Sequence, residues 1–178
     1  YRIFARKCEV RHVENSIAKN FLEKYHIQGN CNSSVRLGLF YKNRLVALMT
    51  FGKSRFNKSF EWELLRYVTV GSFNVIGGAG KLLSYFRKNY TGSIISYADR
   101  RWSQGNLYKS LGFTLLQLST PAYFYVKDGI RFSRIKFQKH KLKDELEIFD
   151  ENLSEKENME NNGYFQVWDC GNKVFILL

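Results

Sequence analysis

The sequence predicts an α/β (α+β) protein built around one mixed sheet. Three observations predict it. Short apolar runs with strand character recur along the chain, helix-period segments sit between them, and a glycine-rich stretch at 71–80 joins a long strand pattern to a helix pattern. With 178 residues, 44% hydrophobic and 16% aromatic, the chain is long enough for one ordinary domain with its own core. That composition excludes a disordered tail, and 1 Pro with 13 Gly excludes collagen-like and proline-rich low-complexity chains.

Taken in order, residues 2–13 alternate in part and read as a strand. Asn15 and Ser16 can cap a short helix whose Ile17, Phe21 and Tyr25 recur at i, i+4 and i+8, on one face. Residues 35–41 and 45–52 are apolar runs joined by Lys42-Asn43-Arg44, a hairpin signal. After a basic loop at 53–59, residues 60–70 form a longer strand, and Leu82, Leu83 and Phe86 mark one face of the helix that follows the glycines. Residues 93–98 read as a short strand and 103–111 as a short helix stopped by Gly112. Segments 113–118, 122–127 and 131–137 read as three more strands. The acidic stretch 144–162 reads as one or two helices, and runs 164–168 and 173–177 flank Asp169-Cys170-Gly171-Asn172 as a second hairpin.

Charge divides the chain. The total is 28 Lys+Arg against 16 Asp+Glu, a formal +12. Residues 1–143 hold 26 basic and 7 acidic residues, and residues 144–178 hold 2 and 9. The organisation expected is a basic domain over 1–143 and an acidic helix-plus-hairpin extension over 144–178 packed on it. An excess of this size points to a polyanionic partner, most simply nucleic acid. Cys8, Cys31 and Cys170 are odd in number and widely spaced, unlike a disulfide framework, and no zinc-type spacing occurs, so no metal is expected. No apolar run approaches a membrane span and no signal-peptide layout opens the chain; a cytoplasmic protein without a membrane partner is the expectation.

A glycine loop between strand and helix suits phosphate, because glycines let backbone N–H groups approach the oxygens and the helix start adds its positive end. The run lacks both P-loop and Rossmann spacing, so neither an NTPase nor a dinucleotide fold follows. The segment Asn74-Val75-Ile76-Gly77-Gly78-Ala79 instead resembles the [Q/R]-x-x-G-x-[G/A] loop of the GNAT (Gcn5-related N-acyltransferase) superfamily, with Asn74 where that motif has Gln or Arg. Leu107-Tyr108-Lys109-Ser110-Leu111-Gly112-Phe113 is similar to its L-Y-x-x-x-G-F helix end. The resemblance implies a GNAT-like, mostly antiparallel central sheet flanked by helices. It implies acetyl-CoA or another acyl-CoA as cofactor if the chain is active, bound at Asn74, Gly77, Gly78, Ala79 and Gly80. It also implies Tyr108 as the acid that protonates the departing thiolate.

A second resemblance spans nearly the whole chain, through segments such as Trp62-Glu63-Leu64-Leu65-Arg66 and Ser96-Tyr97-Ala98-Asp99-Arg100-Arg101-Trp102. These look like the C-terminal domain of phage homing-endonuclease-like proteins, where it follows a Vsr-like nuclease domain that this sequence lacks. Ser96-Tyr97-Ala98-Asp99 more weakly resembles Mom-type DNA-modification proteins. Both imply DNA as target, with a nuclease domain on the same or a partner chain. The leading expectation is a DNA-targeting domain on a GNAT fold; the alternative is an active acyl-CoA-dependent N-acyltransferase modifying DNA bases or a protein amine.

The residues leave the chemistry open. Glu61 and Glu63, two apart on a strand, point to one face and read either as a general base or as partners for Arg66. Asp99, at a strand end, reads as a base or as a partner of Arg100 or Arg101. Tyr108 reads as an acid or as a core tyrosine. His26 opens the loop before the hairpin, which the GNAT resemblance implies would face an acceptor. For DNA contact, residues 131–143 place six basic residues in thirteen with no acid: Arg131, Arg134, Lys136, Lys139, Lys141 and Lys143. On a strand, Arg134 and Lys136 would share the wet face, with Ile135 and Phe137 beneath. Arg55, Lys58, Arg100, Arg101 and Trp102 add cations with an interleaved aromatic able to stack on a base.

Overall fold

The computed structural model describes residues 1–178 and divides them into two units. The first holds 1–98, 103–117 and 173–178; the second holds 99–102 and 118–172, so it is inserted in sequence ahead of the last strand. The charge step at 143/144 falls inside the second unit.

The first unit is built on a seven-stranded, mostly antiparallel sheet. Its strands are β2 (Glu9–His12), β3 (Val35–Tyr41), β4 (Arg44–Lys53), β5 (Trp62–Thr69), β7 (Ile94–Asp99), β8 (Thr114–Leu118) and β12 (Asn172–Leu177), in the order β2-β3-β4-β5-β7-β12-β8. A separate parallel pair joins β1 (Arg2–Phe4) to β6 (Asn74–Ile76), just ahead of helix α2 (Gly78–Asn89). The β3–β4 hairpin forms as the sequence suggests. Tyr41 pairs with Arg44, and Lys42 and Asn43 take φ of 48° and 60°, the two-residue turn whose twist matches the strands.

One sheet face packs on α2 through Leu39, Met49, Phe51, Leu82 and Phe86, with the Phe51 and Phe86 rings stacked 3.6 Å apart. The other face packs on α1 (Asn15–Tyr25) through Val13, Ala18, Leu22 and Leu48. The α1 stripe differs from the one expected. Ala18 and Leu22 are buried against the sheet with Phe21 partly buried beside them, whereas Ile17 is exposed and Tyr25 meets the Phe21 ring, 4.9 Å away. A small residue lets the helix approach the strands, so Ala18 takes the central position.

In the second unit, β9 (Tyr123–Lys127) pairs with β10 (Ile130–Phe132) and β11 (Phe165–Trp168). Its core is Tyr125, Phe137, Leu142, Leu146 and Met159, drawn in part from short helices α4 (Leu142–Glu145) and α5 (Glu155–Asn161). Ser154 and Glu157 form a capping box on α5. Two expectations change here. The strand read over 131–137 stops at Phe132, and the chain turns, burying Phe137 but leaving Ile135 exposed, because an aromatic core claims only one of them. The hairpin read across 169–172 does not form. β11 joins β9, while β12 joins the seven-stranded sheet, where Val174 and Phe175 are buried. Asp169 instead ties its oxygen to the N–H groups of Ala122 and Gly171. No helix is long and apolar enough to cross a membrane.

Candidate active site

The site begins where two parallel strands part. β5 and β7 are in register only at Trp62↔Ile94 and Glu63↔Ile95, although each strand runs on. Beyond that point a wedge opens in the sheet. β5 also carries a bulge: Thr50 faces Arg66 and Phe51 faces Leu64, leaving Leu65 outside the register with β4. A bulge bends its strand and re-aims the local backbone.

On one side of the wedge lies the start of α2. Gly77 is the N-cap at φ 74°, a left-handed conformation that suits glycine, and has no side chain of its own to cap the helix, while the Tyr67 hydroxyl meets the backbone of Ala79. Gly78 is needed for packing. A Cβ there would stand 2.9 Å from the Tyr67 hydroxyl and 3.0 Å from Val75 Cγ1. Gly80 faces open space, with only Leu111 Cδ2 at 3.9 Å. Lys81 is turned away, its Nζ donating to the carbonyls of Ala5 and Cys8 at 3.1 and 2.6 Å. Gly80 opens a groove of about 410 Å³, lined also by Leu83, Ser84, Arg87, Lys88, Ser110 and Leu111. Its far wall is α3 (Asn106–Ser110) and the residue after it.

At the wedge's apex stands Tyr108, from α3. Its ring stacks on Phe175 at 4.6 Å and meets Phe113 edge-on. Its hydroxyl shares a 3.0 Å hydrogen bond with that of Ser96 on β7, and Ser96 Oγ donates to the Leu64 carbonyl on β5 at 2.7 Å. Burial raises the Tyr108 pKa above 10, outweighing the lowering by Ser96 and Arg66, so the phenol keeps its proton at neutral pH.

The carboxylates separate. Glu63 is buried and bound by Arg55, whose Nη2 lies 2.6 Å from Oε1 and whose backbone N–H adds a contact at 3.1 Å. Glu61 lies before β5 begins and is exposed. It accepts from the Ser93 N–H and hydroxyl at 2.7 and 2.6 Å, which lower its pKa. Asp99 pairs with Arg101 at 2.6 Å. Each thus has a local partner.

On the α1 side, the Arg66 Nε donates to the Gly29 carbonyl at 3.2 Å and its Nη1 to the Leu65 carbonyl at 2.8 Å. Burial pulls its pKa down, Arg55 adds to this, and Cys31 and Glu63 oppose it. Cys31 Sγ accepts from Arg55 Nη1 at 3.5 Å. His26 is pushed down to about 4, first by burial and then by Arg66; its Nδ1 accepts from the Gln28 N–H at 3.1 Å. It is therefore neutral at pH 7, with its acceptor nitrogen already used.

No known protein-family model matches the chain, and none of the curated proteins does. Among solved structures, an acetyltransferase from Bacillus subtilis in complex with CoA covers 96% of this chain and 98% of its own, with a TM-score of 0.52 at 12% identity. A GNAT-family acetyltransferase from Bacillus cereus covers 96% of each, with a TM-score of 0.50 at 13% identity. The chain has a GNAT-like fold. At these identities the likeness concerns the fold alone.

In the GNAT-like frame, Gly77, Gly78, Ala79 and Gly80 gather at the head of α2, whereas Asn74 lies on the short strand β6, its N–H donating to the Tyr1 carbonyl. Of the residues proposed for nucleic acid in the first unit, Arg55 is bound to Glu63 and Lys58 donates to the Ser54 carbonyl. In the second unit, Arg100 and Trp102 are exposed. Arg131 and Arg134 lie over the rings of Phe124 and Tyr123 at 4.0 and 4.8 Å. Lys136 pairs with Glu145 at 3.1 Å, Lys139 is exposed, and Lys141 reaches the Ile135 carbonyl. Sequence reasoning did not single out Ser96, Arg87 and Lys88, which the structure sets around the candidate site, or Thr50, and saw Arg66 only as a partner for glutamate. Arg87 and Lys88 at the end of a helix that starts in glycines were the one signal available.

Proposed function

We propose that the chain is an acyl-CoA-dependent N-acyltransferase. The observation that carries this reading is the wedge, two parallel strands that part after Glu63 and Ile95 beside a helix that starts in glycines. A fold shared with an acetyltransferase solved in complex with CoA supports it.

The residues fit the coenzyme. Gly80 leaves space where a side chain would stand, so a phosphate can approach the backbone at the positive end of α2. Arg87 and Lys88, on the same groove, would hold further phosphate charge. When bound, the coenzyme supplies an acyl group activated as a thioester. Tyr108 holds a proton at its hydroxyl at the apex of the wedge and is the acid for the departing sulfur. Ser96 orients that hydroxyl, and Phe175 fixes the ring. Glu63 holds Arg55 in place rather than standing free as a base.

Two measurements test the reading. Acetyl-CoA should raise the melting temperature with concentration, by an amount equivalent to about 2.7 kcal/mol at a hundredfold excess over Kd. Thiol release from acetyl-CoA should then depend on an added amine. No shift at millimolar acetyl-CoA overturns the reading.

A second reading keeps DNA as partner and rests on the exposure of Arg131, Arg134, Lys136, Lys139 and Lys143, with Trp102 exposed as well. It predicts duplex binding whose log affinity falls linearly with log salt, in proportion to the phosphates contacted. A nuclease domain, on this chain or a partner's, would then act on the bound duplex. Absence of a mobility shift at low salt overturns it.

A further inference from the structure

Across the α1 face of the sheet runs a row of residues that the acyl-transfer chemistry leaves unexplained. The register sets Arg36, Thr50 and Arg66 side by side on β3, β4 and β5, and directly paired residues share a face. Thr50 is wholly buried, and its hydroxyl has no hydrogen-bond partner. Buried polar groups in folded proteins are nearly always satisfied, so an orphan marks a place where something else belongs. Arg36 is spoken for by the Val13 and Ser33 carbonyls.

Arg66 is different. It is half-buried and donates to two carbonyls, yet no carboxylate of its own unit lies within ion-pair distance. Its neighbour Arg55 shows the contrast, being neutralised by Glu63 at 2.6 Å. A partly buried cation without an anion is costly, and a guanidinium is the group best shaped to receive a carboxylate or phosphate through two parallel hydrogen bonds. Position adds to this. Arg66 and Thr50 flank the bulge at Leu65. Arg66 lies three residues beyond the last pair that joins β5 to β7 at Glu63, on the strand that borders the wedge, and reaches the 26–34 loop at Gly29, while Thr50 lies behind it on β4.

We propose that Arg66 receives an anionic group, carboxylate or phosphate, carried by the amine that this chain acylates, with the Thr50 hydroxyl beneath it as second donor. The assignment rests on the acyltransferase reading for its acceptor role. Neutral amines of the same size should bind poorly, because they leave the guanidinium unpaired and the hydroxyl unsatisfied.

The test uses three amines of similar length: β-alanine, 2-aminoethyl phosphate and the neutral β-alaninamide. Their dissociation constants are measured by calorimetry on the wild-type chain and on Arg66→Met, Arg66→Lys and Thr50→Val. At least one anionic amine should bind wild type about tenfold tighter than the amide, the range expected of a charge-assisted pair. Which of the two it is separates carboxylate from phosphate. Arg66→Met should abolish the advantage. Arg66→Lys, which keeps the charge without the fork, should retain part of it and guards against a variant that simply misfolds. Thr50→Val should reduce it severalfold.

Equal binding of all three amines, or an advantage that survives Arg66→Met, overturns the proposal; an advantage intact in Thr50→Val overturns its Thr50 half. Acetyl-CoA binding is read in the same samples by melting temperature. An anion preference that depends on Arg66, without an acetyl-CoA shift, removes the acyltransferase reading and keeps the anion site. A normal acetyl-CoA shift without anion preference does the reverse.

Discussion

The two units of the chain hold opposite charge balances. The sheet unit carries 18 Lys+Arg against 5 Asp+Glu, a formal +13, whereas the second unit carries 10 against 11. In the second unit cations find local partners: Lys136 pairs with Glu145, and Arg131 and Arg134 lie over aromatic rings. In the sheet unit Arg11 and Arg55 are paired by Glu9 and Glu63, but Lys81, Arg36, Lys58 and Arg66 meet backbone carbonyls. Carbonyl dipoles orient a cation without cancelling its charge. The field that draws an anion therefore belongs to the unit with the wedge, although the densest basic run in the sequence, 131–143, lies in the other. The acidic stretch after residue 143 folds in the same unit as that run, so a charge boundary along the chain is no boundary in space.

The largest expected effect tests whether the two units respond separately. Phe137 is fully buried among Tyr125, Phe132 and Tyr164. Phe137→Ala should cost about 3–5 kcal/mol of local stability. Limited proteolysis should then cut within 118–172 while the acetyl-CoA melting response of the sheet unit persists. Loss of that response together with the second unit would break the distinction.

Next in size is Tyr108→Phe. It keeps the stack on Phe175 and removes only the hydroxyl. Amine-dependent thiol release should fall about 100-fold, within the usual range for a general acid. The acetyl-CoA melting shift should stay within error of wild type. An unchanged rate removes Tyr108 from the chemistry and leaves it as a core residue.

Much of the sheet unit is legible in the sequence, because its elements are set by local signals. The Lys42-Asn43 turn, the Leu82-Leu83-Phe86 face and the glycines before it all appear where periodicity and turn chemistry put them. The second unit is harder to read. Phe137 and Ile135 are equivalent in an alternating pattern, and only the aromatic core decides which is buried. The last strand is misread for a related reason. A run ending in Val174-Phe175-Ile176-Leu177 pairs equally well with a nearby strand or with β7 and β8, and topology rather than propensity selects the latter. Within the site, the motif glycines and Tyr108 are visible as residue types. Arg66 and Thr50 are not, because their significance lies in a cross-strand register interrupted by a bulge.

A pH effect of intermediate size follows from His26. Burial, with Arg66 adding to it, holds its folded pKa at about 4 against an ordinary 6.5. Between those values the unfolded chain binds a proton that the folded chain refuses. The contribution is therefore fully present above pH 6.5 and is lost as pH falls toward 4. After allowance for solvent screening it amounts to about 1–2 kcal/mol. The acid side of the stability profile should flatten in His26→Gln. In Arg66→Met, the His26 titration followed by NMR should move up, since one of its two causes is gone. A His26 pKa that ignores Arg66 would show that the guanidinium's charge is already cancelled, and the contrast with Arg55 would fail.

The smallest effect is the most discriminating. Thr50→Val removes a buried hydroxyl with no partner and replaces it with a methyl group. If the hydroxyl serves nothing, the variant simply gains stability, by about 1 kcal/mol, because an unmet desolvation cost disappears. If it serves the acceptor's anion, the same gain must come with weaker binding of anionic amines. Arg36 and Arg66, on either side of it in the register, supply the reason to expect both changes together. A purely structural threonine would move the melting temperature alone. One that helps Arg66 moves the melting temperature up and the anion affinity down, and opposite signs from a single hydroxyl are the mark of a group kept for binding at the expense of stability.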